Sequence, residues 1–253
     1  MTNRHNKILN VLTKSQKVEV AALAEMLGVS QVTIRKDLDS LERQALVRRE
    51  HGYACVDLTN GVGKCMAYNY DVKKRIALRA AETVQDGETV FIESDSICAL
   101  LAEELVNTRK DVTIVTNSVF ITNHISHAPN GKIILLGGYF EKDAQVTVGP
   151  MTSKCAEVFF SDKFFIGVDG FSETFGFTGR DHLRAETIQS LASQVKDIIV
   201  LAESETFSKS GVVELVHADK VATVYTDDEI PQDVELYLQG RDVDIQKIPR
   251  NAE

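Results

Sequence analysis

Three short amphipathic stretches open the chain. Ile8, Leu9, Val11 and Leu12 form an apolar stripe for a first helix, and within VAALAEML residues Ala21, Leu23, Ala24 and Leu27 lie close to helical spacing for a second. Gly28 interrupts that pattern where a C-terminal residue of positive φ is needed, and Ser30 follows where an N-cap belongs. From there Ile34, Leu38, Leu41 and Ala45 fall at i, i+4, i+7 and i+11, the buried face of a third helix. ALVRREHGYACV then reads as two short strands around His51-Gly52, a hairpin wing. This order predicts an α+β winged helix-turn-helix head over residues 1–56.

Residues 57–72 keep no sustained period and contain two glycines, which predicts a linker. From Lys73 onward apolar strands alternate with helical stretches, and the third segment is assigned to 73–253. Strands are expected at 89–92, 112–115, 132–136, 163–167, 198–202 and 221–225. Strands separated by helices imply βαβ units, hence an α/β domain with a mainly parallel sheet. Ligands bind such sheets outside the carboxyl ends of the strands. Those ends read Glu93-Ser94-Asp95-Ser96, Thr116-Asn117-Ser118, Gly137-Gly138-Tyr139, Asp169-Gly170-Phe171, Gly176-Phe177-Thr178 and Glu203-Ser204. Singly these are ordinary turn residues. Recurring at one end of successive strands, they suit a hydroxyl-rich ligand.

Charge sharpens the division of labour. The net charge is −9, which alone argues against a nucleic-acid partner. Yet residues 1–54 hold nine Lys/Arg against six acids, leaving +3, while the remainder holds 19 against 31, leaving −12. DNA needs local positive charge, whatever the total. With 43 % hydrophobic and 26 % charged residues the composition is that of an ordinary globular chain. No apolar run approaches the ~18 residues of a membrane span, and MTNRHNKILNVL lacks the features of a signal peptide. The expectation is a cytoplasmic protein with no membrane partner. Cys55, Cys65, Cys98 and Cys155 form no CxxC pair, so reduced thiols are expected and no metal site. GxGxxG and GxxxxGK[ST] are both absent from the sequence, and no cofactor is implied.

The third helix carries the DNA chemistry. Gln31, Thr33, Arg35 and Lys36 project from its first turns, opposite the apolar face, next to the cap Ser30. The N-terminal residues of a recognition helix meet base edges: Arg grips guanine, Gln adenine, and Thr a thymine methyl. Arg48, Arg49 and His51 on the wing complete the set expected at double-stranded DNA.

GVSQVTIRKDLDSLERQALVRREHGYA resembles the signature of the DeoR family of bacterial regulators, V-S-x-x-T-I-R-R-D-L-x-x-L followed by R-x-H-G-G-A. Val29, Ser30, Thr33, Ile34, Arg35, Asp37, Leu38, Leu41, Arg49, His51, Gly52 and Ala54 match in register. Lys36, Ala45 and Tyr53 depart from it. VTNS, LLGGYF, DKFFIGVDGF, GFTGRD and YTDD resemble the family's effector domain, which is similar to the ribose-5-phosphate isomerase fold. The resemblance implies a sequence-specific repressor of a carbohydrate or polyol catabolic operon, a homodimer or homotetramer, released by a sugar, polyol or sugar-phosphate effector. Residues Glu93, Ser94, Asp95, Ser96, Thr116, Asn117, Gly138, Asp169, Thr178, Asp181, Arg184 and Glu203 are its candidate effector contacts.

The departures cluster in that domain. The family's D-x-G-T-T loop is here Glu93-Ser94-Asp95-Ser96-Ile97, a family Lys is Thr206, and a family Glu is Arg184. Two acids in the loop favour an effector met through its hydroxyls, either unphosphorylated or with its phosphate displaced towards Arg180, Arg184 or Lys209. The competing expectation is a sugar-phosphate isomerase or deaminase with an added DNA-binding head. Enolisation needs a base and usually a cation, and with the Lys absent at 206 no catalytic residue is assigned.

Overall fold

A computed structural model describes residues 3–15, 17–43, 46–56 and 65–250. Ala45 and residues 57–64, which carry part of the third-helix face and of the expected linker, lie outside the described residues. The chain divides into two compact units, 1–71 and 72–253.

The first unit holds helices α1 (Asn3–Ser15), α2 (Val20–Met26) and α3 (Gln31–Arg43) and strands β1 (Lys17–Glu19), β2 (Val47–Glu50) and β3 (Tyr53–Val56). The short strand β1, unforeseen in the sequence, pairs antiparallel with β3, which pairs antiparallel with β2. Ile8, Leu9, Leu12, Leu23, Ile34, Leu38 and Leu41 are fully buried; removing one such leucine costs about 2–5 kcal/mol. Gly28 has φ +64, and the Val29 amide donates back to the Ala24 carbonyl at 3.0 Å, closing α2. The Thr33 amide donates to Ser30 Oγ at 3.1 Å, which caps α3. His51 (φ 46) and Gly52 (φ 87) form the two-residue turn between β2 and β3, a conformation that matches hairpin twist.

The second unit is built on a seven-stranded parallel sheet. Its strands are β4 (Thr89–Ile92), β5 (Thr113–Thr116), β6 (Lys132–Leu135), β9 (Lys163–Gly167), β12 (Asp197–Leu201), β14 (Val221–Asp227) and β15 (Asp244–Ile248). Their order is β15-β14-β12-β9-β4-β5-β6. Runs such as KFFIG and DIIVL are buried over nearly every residue, as strands covered on both faces must be. Helices α5 (Ser96–Thr108), α6 (Val119–Ile125), α8 (His182–Ala192) and α9 (Gln232–Gln239) lie in the crossovers. The hairpin β7 (Tyr139–Glu141) and β8 (Val146–Val148) precedes α7 (Pro150–Ala156). A three-stranded antiparallel sheet joins β10 (Gly170–Ser172), β11 (Gly176–Gly179) and β13 (Val213–Val216).

Strand order fixes the functional end. From β4 the chain runs outward through β5 and β6, then returns to the other side of β4 to lay down β9, β12, β14 and β15. The order therefore reverses between β4 and β9, and a ligand crevice belongs outside their carboxyl ends.

The stretch read as a linker is not one throughout. Residues 65–67 are helical, and α4 (Tyr70–Ala81) begins three residues before Lys73. Met66, Ala67, Tyr70 and Val72 are buried. Their apolar spacing is helical, but it is too short to stand out beside Gly61 and Gly63.

Candidate DNA-reading and effector sites

On the head, Gln31, Arg35 and Lys36 are exposed on the first turns of α3, with Thr33 half-buried. Among the described residues neither Arg35 nor Lys36 has an ion-pair partner. Arg35, Glu42, Arg49, Gly52, Tyr53 and Val20 line one groove between α3 and the wing. His51 stands exposed at the wing tip. Arg48 pairs with Glu50 at 2.6 Å. Arg49 is occupied differently: its backbone amide and Nε donate to Glu42 at 3.1 Å, its Nη2 donates to Glu42 at 2.9 Å, and Asp39 lies 2.5 Å away. Arg49 thus clasps the wing to α3. Asp39 and Glu42, three residues apart on one helical face, were the sequence signal for this clasp.

A second tie holds α3 from behind. Asp37 is buried on the apolar side of α3 and accepts from Arg4 and contacts His5 Nε2 at 3.2 Å, both on α1. Burial pushes the Asp37 carboxyl up, but the Arg4 hydrogen bond and the charges of Arg4 and His5 outweigh it, and its pKa lies below the ordinary value. Burial also lowers His5, more than Asp37 raises it.

At the sheet's reversal point, α5 starts directly after β4, and Asp95 is its N-cap, accepting from the Ile97 amide at 2.7 Å. Ser96 is buried in the first turn. Asp181 in turn caps α8, accepting from the Arg184 amide at 2.7 Å. That cap aims Arg184 inward. Its Nε and Nη2 each donate to Glu93 at 2.8 Å, Nη1 to Asp169 at 2.9 Å, and Nη2 also to the Gly167 carbonyl at 3.0 Å. Glu93 is entirely buried beneath this fork and serves as its base. Burial would lower the Arg184 pKa, yet the charges of Glu93 and Asp169 raise it above the ordinary value, so the guanidinium stays charged. Asp95 packs against Gly167 so closely that a Cβ there would fall 2.2 Å from the Asp95 Cβ.

The other candidates serve nearby. Ser118 caps α6 and donates to Ser94 Oγ at 3.1 Å, joining the ends of β4 and β5. Thr116 Oγ1 accepts from the Ser118 amide. Asn117 Nδ2 donates to the Thr147 carbonyl, and among the described residues its buried Oδ1 has no hydrogen-bond partner. Gly138 (φ +153) is exposed and presses on Thr152, where a Cβ would meet Oγ1 at 2.0 Å. Thr178 Oγ1 accepts from the Gly211 amide. Glu203, just beyond the end of β12, pairs with buried Lys73 at 3.2 Å. Ser118 and the Gly167 carbonyl were missed among the candidates, although the N-cap position of Ser118 before an apolar helical run was a usable signal. Among the described residues no group of three or more His, Cys, Asp or Glu is placed to hold a metal ion, and no helix is long and apolar enough to cross a membrane.

Residues 4–59 match the family model of the DeoR-like helix-turn-helix domain, and residues 68–228 that of the DeoR C terminal sensor domain. The chain is similar to the glycerol-3-phosphate regulon repressor of Escherichia coli (strain K12), 26% identical over 248 residues, covering 97% of this chain and 98% of that one. It is also similar to the L-fucose operon activator of Haemophilus influenzae, 23% identical over 247 residues and covering 96% and 98% of the two chains. Among solved structures, ribose 5 phosphate isomerase A from Neisseria gonorrhoeae aligns with 56% of this chain and 55% of its own, at 15% identity and a TM-score of 0.41.

Proposed function

Because the chain belongs to the DeoR family of transcriptional regulators, we propose that it represses a carbohydrate or polyol catabolic operon and leaves its operator when a sugar, polyol or sugar phosphate occupies the crevice at the carboxyl ends of β4, β5 and β9. It is a DNA-binding regulator and not an enzyme, as the relatives that match 90–97% of the chain are named a transcriptional regulator, a regulon repressor and an operon activator. The isomerase reading is set aside on that ground.

The observation that carries the proposal is the pairing of two surfaces of opposite chemistry. The first turns of α3 present Gln31, Arg35 and Lys36 to solvent. These are donors suited to base edges and phosphates. At the reversal point of the parallel sheet, the carboxylates of Glu93 and Asp169 converge on Arg184, and the Ser94 and Ser118 hydroxyls pair at the ends of β4 and β5. Such groups bind hydroxyls readily. Relatives named for glycerol-3-phosphate and L-fucose support a carbohydrate-derived signal.

A single winged helix covers too few base pairs for genomic specificity, so the working protein holds at least two heads on paired half-sites. It works in the cytoplasm, where the DNA is. The test selects operator DNA from a genomic library with the full chain, then follows fluorescence anisotropy of that DNA while sugars, polyols and their phosphates are added. Release by one compound class, with transcription rising when the gene is deleted, is the expected result. Falling transcription on deletion would make the chain an activator, and no release by any of them would defeat the effector reading.

A further inference from the structure

The amino end of the parallel sheet carries a groove that neither DNA reading nor effector binding uses. It lies between the turn entering β4, the segment linking α7 to β9 and the segment linking α8 to β12. Its volume is about 600 Å³, room enough for a large side chain. Half-buried Glu88, Thr89, Ser161, Gln194 and Val195 form its walls. Much of this polar lining is satisfied within the chain. Lys163 matches the Glu88 charge at 2.8 Å, Ser161 Oγ donates to the Thr89 carbonyl, and Gln194 Nε2 donates to the Ser190 carbonyl.

A knob stands on the rim of this hole. Phe160 is 90% exposed, and Val158, two positions earlier on the same segment, is 71% exposed. Aromatic side chains are the commonest anchors of protein interfaces, because a single ring buries so much apolar area. The rim also carries both signs of charge. Asp162 and Lys196 line the groove and are exposed, and among the described residues neither has an ion-pair partner.

Knob, hole and opposite charges on one surface are what a two-fold contact needs, since the axis brings each feature against its complement. We infer that this groove docks a second copy of the chain. Phe160 of each protomer sits in the other's groove, and Lys196 faces the partner subunit's Asp162. The inference rests on the two-headed protein proposed above and names the face that joins the copies. A foreign partner would have to supply a matching ring, hole and charge pair, whereas a second copy supplies them by symmetry. The effector crevice lies at the carboxyl ends of the same strands, so the contact leaves it open in both copies.

Sedimentation equilibrium of the full chain over a range of concentrations tests this. The wild type should self-associate, and Phe160→Asp should raise the dissociation constant at least about tenfold. So exposed a position tolerates the change without loss of fold. Asp162→Lys and Lys196→Asp should each weaken association about threefold or more, and combining them should restore it. Leu236→Asp, at an equally bare apolar position on α9, should leave association unchanged. If the wild type associates and Phe160→Asp does so equally well, or the double charge variant is weaker than either single one, this face is not the interface. The two-headed reading then stands on another surface. A wild type that stays monomeric, alone and on operator DNA, overturns both.

Discussion

Arg49 on the wing is held by Glu42 on the recognition helix through three hydrogen bonds of 2.9–3.1 Å, one from the backbone amide and two from the guanidinium. An arginine so placed has its charge matched inside the protein before DNA arrives. Its expected contribution to DNA binding is then to set the angle of the wing tip, with His51 and Gly52, relative to α3. Both partners are about one-third exposed, so the pair adds only about 0.2–1 kcal/mol to stability.

This geometry separates two roles for Arg49. If it only gripped phosphate, removing the nearby acid in Glu42→Ala would tighten DNA binding. Held as it is, Glu42→Ala and Arg49→Ala should both weaken operator binding, by similar factors and without additivity in the double variant. Fluorescence anisotropy on operator and random DNA at two salt concentrations reads this. Tighter binding by Glu42→Ala would show that Arg49 acts on the phosphates directly.

Arg35 is exposed at the start of the second turn of α3 and without an ion-pair partner among the described residues. Arg35→Ala should cost about 1–3 kcal/mol at one operator position and relax discrimination there. An equal loss on random DNA would move it from base reading to phosphate contact.

Asp37 and His5 should make the head sensitive to acid. His5 is lowered below its ordinary 6.5 by burial, against the opposing pull of Asp37, so the fold favours the neutral ring. Stability from that source is complete above pH 6.5 and declines as pH falls towards the folded-state value. Asp37 is held below 3.8, because Arg4 and His5 outweigh its burial, so its contribution is complete above pH 3.8 and is lost as pH falls further. Circular dichroism melts should show Tm falling in both windows. His5→Gln should flatten the upper one, and an unchanged slope there would remove His5 from the account.

Arg184 and Glu93 should be costly to separate and cheaper to remove together. Arg184→Met leaves the buried Glu93 carboxylate without its counter-charge and should destabilise by about 3–5 kcal/mol. Adding Glu93→Gln to that variant should recover part of the loss. Denaturant unfolding of the two variants decides it, with equal stability of single and double variants as the opposing outcome.

Two heads on one operator predict half-sites related by whole turns, about 10 bp each. Sedimentation of the full chain with footprinting tests this. A monomer protecting one isolated half-site at full affinity would contradict it.

Much of the fold is legible in the sequence alone. Apolar spacing located α3, and continuous apolar runs located strands such as Thr89–Ile92 and Lys163–Gly167, because a helical face and a doubly covered strand are both written in neighbouring residues. Gly28, Ser30 and the His51-Gly52 turn were readable for the same reason: caps and turns involve residues a few positions apart. Strands β1, β7, β8, β10, β11, β13 and β15 escaped because they are short or polar, and several of them, such as β1 on β3 and β13 on β11, are held by a partner far along the chain. Residue types also nominated Glu93, Asp169 and Arg184, but their pattern could not say which of them faced a ligand and which faced one another. That was decided by the sheet order that sets β4 beside β9, and by the Asp181 cap that turns Arg184 towards a carboxylate 91 positions away. Charge pairing depends on distances of a few ångströms, and across such separations only the tertiary fold sets those distances.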